Sequence, residues 1–157
     1  MSLTSAQLAT LKTDITVTHA STVFNSKTLL QLWNGYDTQG LADYYNTTAS
    51  PTVAIWRPDV SQTDLAKSIV ASEFSALTVA LQNTWFALLQ APILDATISS
   101  VRQNFSTIFT SGTTLTNLQA TAQKNATNLE SLFTTSQVSS VYGYTLTSQD
   151  VYKAKIS

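Results

Sequence analysis

An apolar stripe in the middle of the chain constrains the fold more than any other sequence feature. Its members recur at intervals of three and four residues until Pro92 interrupts the pattern. This spacing places them on one face of an α-helix. Ser61 and Asp64 stand where an N-terminal cap belongs, so we predict a helix that begins near Ser61 and continues to Pro92. The stripe consists of Phe74, Leu77, Leu81, Trp85 and Leu88.

The N-terminus is the best-specified end of a helix in the chain. Thr4 and Gln7 form a capping box, and Leu3 and Leu8 stand at the positions of a hydrophobic staple. The sequence therefore predicts a helix over about 5–17. A second, shorter helix is predicted over 38–45.

Two more apolar stripes follow Pro92. One covers 98–108 and ends near Gly112, and the other covers 115–133. Short connections between helices favour antiparallel neighbours, so we expect these two helices to pack against each other. The residues expected to be buried against one another are Leu77, Leu81, Trp85, Val101, Phe105, Leu118, Leu129 and Phe133.

Extended structure is predicted at two places. Pro51 and Pro58 disfavour helix in the residues before them, and the segment between them, 53–57, is apolar enough to be a buried strand. After Phe133 the helical period is lost, and only a short helix capped by Thr147 and Asp150 is expected at the end. The predicted fold is mainly α: a compact helical bundle over 1–134 with short extended segments, and a C-terminal extended arm over 135–157.

The surface is predicted to be polar but weakly charged. Charged residues make up 11% of the chain, against about 25% in an average domain. Neutral polar residues take their place, since Thr, Ser, Asn and Gln together account for 64 of the 157 residues. The eight basic residues are dispersed, which disfavours binding to nucleic acid through phosphate contacts. The formal net charge of -1 leaves little self-repulsion, so we expect the chain to associate with itself.

Residue types that carry enzyme chemistry are sparse. Cysteine is absent, and His19 has no second imidazole or thiol nearby in sequence with which to share a metal. Four glycines and no nucleophile-elbow motif argue against nucleotide binding and hydrolysis. We therefore predict no catalytic, cofactor-binding or metal-binding residues, and a protein that is not an enzyme. No stretch approaches the roughly 18 apolar residues of a membrane span, and we expect synthesis in a cytoplasm.

Two groups of residues are candidates for contacting a partner. Trp56 and Arg57 could bind the carboxylate of a partner, with the Arg57 stem packed on the indole; the alternative is a core Trp56 with Arg57 as a solvated charge at its rim. The arm carries aromatic anchors of a type that dominates interfaces, and its two lysines could meet acidic groups on a partner. It could dock on a neighbouring chain or fold back on its own bundle. The arm candidates are Val141, Tyr142, Tyr144, Val151, Tyr152, Lys153 and Lys155.

Five stretches resemble a family of small tailed-bacteriophage virion proteins of the head-to-tail connector, or neck, type. Together they span nearly the whole chain. The stretches are 3–12 (LTSAQLATLK); 43–46 (DYYN) leading through 49–51 (ASP) to 55–57 (IWR); 101–105 (VRQNF) to Phe109; 126–133 (ATNLESLF); and 144–146 followed by 148–152 (SQDVY).

The resemblance implies a structural role. A connector of this type would form a ring, of twelve subunits if it is similar to other connectors, between the portal and the tail. Its partners would be further copies of itself, the portal protein, and tail or neck proteins, with genomic DNA passing through the channel without sequence-specific binding. Its location would be the neck of the virion. The alternatives are a small helical binding or assembly-chaperone module that is not a permanent part of the neck, and a hydrolase with a site assembled only in space.

Overall fold

The computed structural model describes residues 2–157, and the predicted mainly α class is confirmed, with 54% of residues in helices. A single π-helical turn, Asp14–Thr18, continues the first helix. In chain order, the α-helices of the described residues are α1 Ser5–Thr13, α2 Leu29–Asn34, α3 Thr38–Asn46, α4 Gln62–Lys67, α5 Ala71–Ser75, α6 Val79–Leu88, α7 Ser99–Ile108, α8 Thr113–Ala122, α9 Asn128–Leu132 and α10 Ser148–Ile156.

The strands are short and pair only two by two. β1 with β2 and β4 with β5 are antiparallel, and β3 pairs with β6 and β7 with β8. Positive φ values at Asn25 and Ser26, and again at Ser136 and Gln137, let the chain reverse tightly between β1 and β2 and between β7 and β8. In chain order, the strands are β1 Val23–Phe24, β2 Lys27–Thr28, β3 Ala54–Trp56, β4 Val60–Ser61, β5 Ile93–Leu94, β6 Gln123–Asn125, β7 Thr134–Thr135 and β8 Val138–Ser139.

The chain divides into two compact units. Unit 1 comprises the chain through Val53 together with Asn125–Thr135 and Ser139–Ser157, and unit 2 comprises Ala54–Lys124 and Ser136–Val138. Each unit has its own apolar core. This division differs from the predicted bundle over 1–134 with a separate arm over 135–157, because the C-terminal residues share a core with the N-terminal ones.

Unit 1 is built around α10, which packs against both α1 and α3. Val141, Leu146, Val151 and Ala154 are fully or almost fully buried there. The segment after Phe133 is therefore not an extended docking arm in this structure. Residues 139–157 fold on unit 1, because their apolar side chains share its core with those of α1 and α3.

Capping side chains stand at two of the breaks in the two longest predicted helices. The predicted helix over 61–91 is three helices, α4, α5 and α6, and the Thr78 side chain accepts a hydrogen bond from the Leu81 N–H to begin the last of them. The predicted helix over 115–133 is α8 and α9, with the strand β6 between them and a new capping box at Thr127 and Glu130. Caps compete locally with continuation of a helix, and here they prevail over apolar periodicity.

A carboxylate from another helix caps the N-terminus of α8. Gly112 precedes this helix with φ 109°, and it supplies no side-chain cap. Glu73 of α5 accepts hydrogen bonds from the backbone N–H groups of Thr113 and Thr114, both at 2.8 Å. A Cβ at position 112 would lie 2.8 Å from the Glu73 carboxylate, so a glycine is needed for both its conformation and the close approach.

The residues predicted to form one core are divided between the cores of the two units. Trp85, Phe105, Leu118 and Leu129 are buried as expected, whereas four others are only half-buried. The half-buried members are Leu77, Leu81, Val101 and Phe133. Leu129 and Phe133 belong to the core of unit 1 and the other six to unit 2, so the prediction of one mutually packed set is wrong.

Over residues 2–157, no helix combines the length and the hydrophobicity needed to cross a membrane.

Candidate functional site

A polar cluster of unit 1 centres on Asp14, the first residue of the π-helical turn. Its side chain is buried, and each carboxylate oxygen has a partner from the chain. Oδ1 lies 2.8 Å from Nδ1 of His19, and Oδ2 accepts a 2.6 Å hydrogen bond from the Tyr45 hydroxyl. The π-helical turn makes this possible, because its wider hydrogen bond, from the His19 N–H to the Asp14 carbonyl at 2.8 Å, brings His19 back over Asp14.

The electrostatics of this cluster favour a protonated phenol. Burial raises the pKa of Tyr45 above its usual range, and the hydrogen bond to Asp14 and the charge of Asp14 raise it further. The pKa of Tyr44 is raised for similar reasons, by burial first and then by Asp14. Tyr45 therefore acts as a permanent donor that satisfies the buried carboxylate.

A cleft of about 490 Å³ in unit 1 adjoins this cluster. The His19 side chain is half exposed and lies on its wall, opposite a mixture of hydroxyl-bearing and apolar residues. An imidazole held by a buried aspartate is the arrangement that general-base catalysis uses. The other lining residues include Thr18, Thr22, Ser50, Pro51, Asn128 and Ser131.

The sequence assigned no function to His19, and it gave no reason to connect Asp14, His19 and Tyr45. Only the five-residue spacing of Asp14 and His19 could have hinted at the pair, because it matches the hydrogen-bond spacing of a π-helix and not that of an α-helix. No group of three or more potential metal ligands among His, Cys, Asp and Glu occurs within residues 2–157. The absence of catalytic and metal-binding residues remains a prediction.

Trp56 and Arg57 are held by unit 2. Trp56 is half-buried, and the Arg102 guanidinium of α7 lies over its ring at 5.0 Å. Arg57 bonds to Asp59 at 3.2 Å, and its Nη1 donates to the Thr121 carbonyl. The guanidinium that lies over the Trp56 indole is therefore that of Arg102. The Arg57 guanidinium bonds instead to Asp59 and to the Thr121 carbonyl.

The C-terminal candidates separate into buried and exposed residues. Val141 and Val151 are completely buried, so they are not available to a partner. The Tyr144 hydroxyl donates to Asp150 at 2.8 Å, and Tyr142 is half-buried with an interaction of its own. These four residues stabilise unit 1, because the helix that carries Val151 and Asp150 closes its core.

Lys155 is also engaged inside unit 1. Its ammonium lies 3.5 Å from the centre of the Tyr36 ring and 5.0 Å from that of Trp33, and it donates to the Trp33 carbonyl. Tyr152 and Lys153 are the exposed candidates that remain on α10. Lys153 lies 3.8 Å from Asp150.

Residues from distant stretches of the sequence are joined by a hydrogen-bonded framework in unit 1. The Asn46 amide donates to the Leu146 carbonyl at 2.9 Å and accepts from the Leu146 N–H at 2.8 Å. The Asn128 side chain donates to the Tyr44 carbonyl at 3.0 Å. The Ala49 N–H donates to the Ala126 carbonyl at 2.9 Å.

The outer face of α6 in unit 2 is exposed and apolar. The sequence did not predict this exposure. Val79 and Phe86 are 72% and 52% exposed, and Ile93 beyond the helix is 60% exposed. Trp85 and Leu81 point to the other side, toward the core of the unit. The apolar residues of α6 therefore cover more than one face, and a periodicity search sees only the inner stripe.

Comparisons with protein-family models, with curated proteins and with solved structures find no match to this chain.

Proposed function

We propose that the chain is a structural subunit of a tailed-bacteriophage virion, a head-to-tail connector that forms a ring between the portal and the tail. The observation that carries the proposal is the framework of unit 1. It joins the stretch around Asn46, the stretch around Asn128 and the stretch that ends in Leu146, which are three of the five that resemble the virion family.

Within unit 2, a further contact links the second resembling stretch to the third. Trp56 belongs to the second stretch and Arg102 to the third, and the guanidinium lies over the indole. Side chains of the resembling stretches therefore connect segments that are far apart in the sequence. Side chains that bond to backbone groups about 100 positions away preserve a fold, which supports reading the resemblance as a likeness of architecture.

The surface chemistry supports an assembling protein through which DNA passes. Few basic side chains are free to bind phosphate, since Lys27, Arg57, Lys67 and Lys153 each lie within 4 Å of a carboxylate of the same chain. Neutral polar residues, Thr, Ser, Asn and Gln, account for 64 of the 157 residues. Such a surface attracts the DNA backbone weakly and repels a second copy weakly, which suits a channel built from identical subunits.

The portal-facing surface is proposed to include the exposed side of α10. Tyr152 is 49% exposed there, next to Lys153. The tyrosine supplies apolar area together with a hydrogen-bond donor, which interfaces favour, and the lysine adds a charge at the polar rim. Docking through this side requires no rearrangement, because the helix is already folded on unit 1.

The deciding experiment locates the polypeptide. Virions purified on a density gradient from the phage that encodes the chain are disrupted and analysed by mass spectrometry, and the copy number is compared with that of the portal. A stoichiometric match to the portal is expected. Detection in infected-cell lysate but not in purified virions would contradict the connector role and favour a binding or assembly-chaperone module.

A binding experiment then tests the docking side. Purified portal rings are mixed with the wild-type chain or with the double variant Tyr152→Ala and Lys153→Ala. The variant should fold normally, since both side chains are exposed, but should bind the portal at least tenfold more weakly. Equal binding of the two proteins would exclude this side of α10 as the portal contact.

A further inference from the structure

We infer that a pocket beside Trp56 in unit 2 binds a carboxylate, and that Arg102 is the residue that holds it. The pocket has a volume of about 300 Å³, and Trp56 and Arg102 both line it. Both residues belong to unit 2, so the site lies within one compact unit. The inference goes beyond the connector role and does not depend on it.

The guanidinium of Arg102 is held in one position. Its Nη1 donates to the carbonyls of Ala96 and Thr97, both at 2.7 Å, and these two acceptors use both hydrogens of that nitrogen. Its central carbon lies 5.0 Å from the centre of the Trp56 ring. A ligand therefore meets a guanidinium that is already ordered, so little conformational entropy is lost on binding.

The opposite edge of this guanidinium is available to a ligand. Among the described residues, Nε and Nη2 of Arg102 have no hydrogen-bond partner, and neither nitrogen is sealed from solvent. The Nε–H and the nearer Nη2–H are parallel, and such a pair of donors matches the two oxygens of a carboxylate.

The charge of Arg102 is not neutralised by a carboxylate within residues 2–157. Arg102 is the only charged residue that lines the pocket. The nearest acidic residue in the sequence, Asp95, directs Oδ1 to the N–H and the hydroxyl of Thr97, at 2.9 and 2.5 Å. The uncompensated positive charge attracts an anion from outside the chain.

Neutral donors surround the guanidinium. Ser99 and Ser106 supply hydroxyls to the pocket wall, and Gln103 and Gln119 supply amides. Ser99 is the first residue of α7, whose N-terminus has no side-chain cap, so the positive end of the helix dipole adds to the attraction. These groups stabilise a carboxylate without competing for Arg102.

The single cation favours a carboxylate over a phosphate. A phosphate group carries a charge of about −1.5 to −2, and the pocket offers no second cation to balance it. DNA binding requires several cations along the backbone, which one arginine does not provide. The volume suits an Asp or Glu side chain of another polypeptide or a small free carboxylic acid, and both would make the same contact with Arg102.

Nuclear magnetic resonance tests the site directly, because the Nε–H of Arg102 gives a signal of its own. The isotope-labelled full chain is titrated with sodium acetate, and with sodium chloride at equal ionic strength as the reference. Acetate should shift the Arg102 signal saturably, and chloride should not. No saturable shift up to the highest soluble acetate concentration would overturn the inference, as would tighter binding of inorganic phosphate than of acetate.

A second arm distinguishes the two sources of the carboxylate. A short flexible peptide with one glutamate is compared with its glutamine counterpart. Binding of the glutamate peptide about tenfold tighter than that of acetate identifies a partner polypeptide as the source, whereas equal or weaker binding identifies a small free acid. Equal binding of the glutamate and glutamine peptides, together with an acetate signal that does not move, would exclude both sources.

Arg102→Lys keeps the charge but loses the parallel N–H pair, so it should weaken acetate binding about tenfold, as read from the backbone signals of Ser99 and Gln103. Arg57→Lys, whose guanidinium lies outside this pocket, is the matched control and should bind acetate like the wild type. Circular dichroism establishes that each variant is folded.

A second pair of variants keeps Arg102 intact. Gln119 is exposed on α8, so its replacement should not disturb folding. Gln119→Glu places a carboxylate in the pocket wall and should suppress acetate binding, whereas Gln119→Ala should retain it. Acetate binding of wild-type strength in Gln119→Glu would overturn the inference. None of these outcomes depends on whether the chain is found in virions.

Discussion

The hydroxyl of Tyr45 in α3 donates a 2.6 Å hydrogen bond to the buried carboxylate of Asp14, at the start of the π-helical turn. This bond joins two elements that are 31 positions apart in the sequence. A buried carboxylate without its donor is expensive, so the pair bears directly on the stability of unit 1.

Replacing Tyr45 with Phe should therefore destabilise unit 1. The ring is kept, while the donor to a charged acceptor is lost, which costs about 1.5–3 kcal/mol. Urea denaturation followed by tryptophan fluorescence measures the change. Tyr152→Phe, at an exposed site with no side-chain hydrogen bond, is the matched control and should change the free energy of unfolding by less than about 0.5 kcal/mol.

Replacing Asn46 with Ala should also destabilise unit 1. Both backbone groups of Leu146 would lose their partners in a partly buried environment, at a cost of about 1–3 kcal/mol. Thermal unfolding of Asn46→Ala is compared with that of Asn34→Ala, since Asn34 is exposed at the end of α2. Equal melting temperatures for the two variants would mean that the framework contributes nothing to stability.

Deleting residues 137–157 should unfold unit 1. The deletion removes four buried apolar side chains and the helix that packs against α1 and α3. Circular dichroism should report a loss of helix well beyond the nine residues of α10. A truncated chain that keeps the helix content and melting temperature of the remainder would restore the hypothesis of a separate docking arm.

The free energy of unfolding should fall both in acid and in alkali, because Asp150 and Tyr144, which are hydrogen-bonded to each other, both have shifted pKa values. Burial alone would raise the pKa of Asp150, but hydrogen bonds from Thr147 and Tyr144 and the charge of Lys153 outweigh it, and the pKa lies below its usual value. A lowered pKa in the folded state contributes stability above the unfolded value of about 3.9, and this contribution is lost as pH falls through the folded-state pKa.

In alkali the shift has the opposite sign, because the pKa of Tyr144 is raised whereas that of Asp150 is lowered. Burial first, and then the hydrogen bond to Asp150, raise the pKa of Tyr144 from 10.0 to about 12. The stability it contributes is complete below pH 10 and is lost as pH rises toward 12. Denaturation curves across pH measure both limbs: Asp150→Asn should flatten the acid limb, and Tyr144→Phe should flatten part of the alkaline limb. Unchanged slopes would contradict the linkage.

The isolated chain should bind DNA weakly and without strong salt dependence. Each phosphate contact adds about 0.9 to the slope of log affinity against log salt, and most basic side chains here are paired or dispersed. Fluorescence anisotropy with a duplex at 50 and 200 mM salt measures this slope. Tight binding with a steep slope would reveal a basic surface that the present fold does not contain.

The sequence alone determined where three of the helices begin. The capping boxes at Thr4 and Gln7 and at Thr147 and Asp150, and the Ser61 cap of α4, lie where they were predicted. These signals succeed because a cap involves residues only three positions apart, so no distant segment is needed to form it. The mainly α class followed for the same reason, from local periodicity.

Only the tertiary structure decided which side of each segment is buried. The inner stripe of α6 could be predicted from the sequence, but the exposure of Phe86 could not, since both faces of that helix are apolar. Val141 and Val151 carry no local sign that they close the core of unit 1, and Asp14 carries none that Tyr45 will satisfy it. Their environments are set by residues tens to more than a hundred positions away, because burial is a property of the packed unit, whereas a cap or a helical period is a property of a few neighbouring residues.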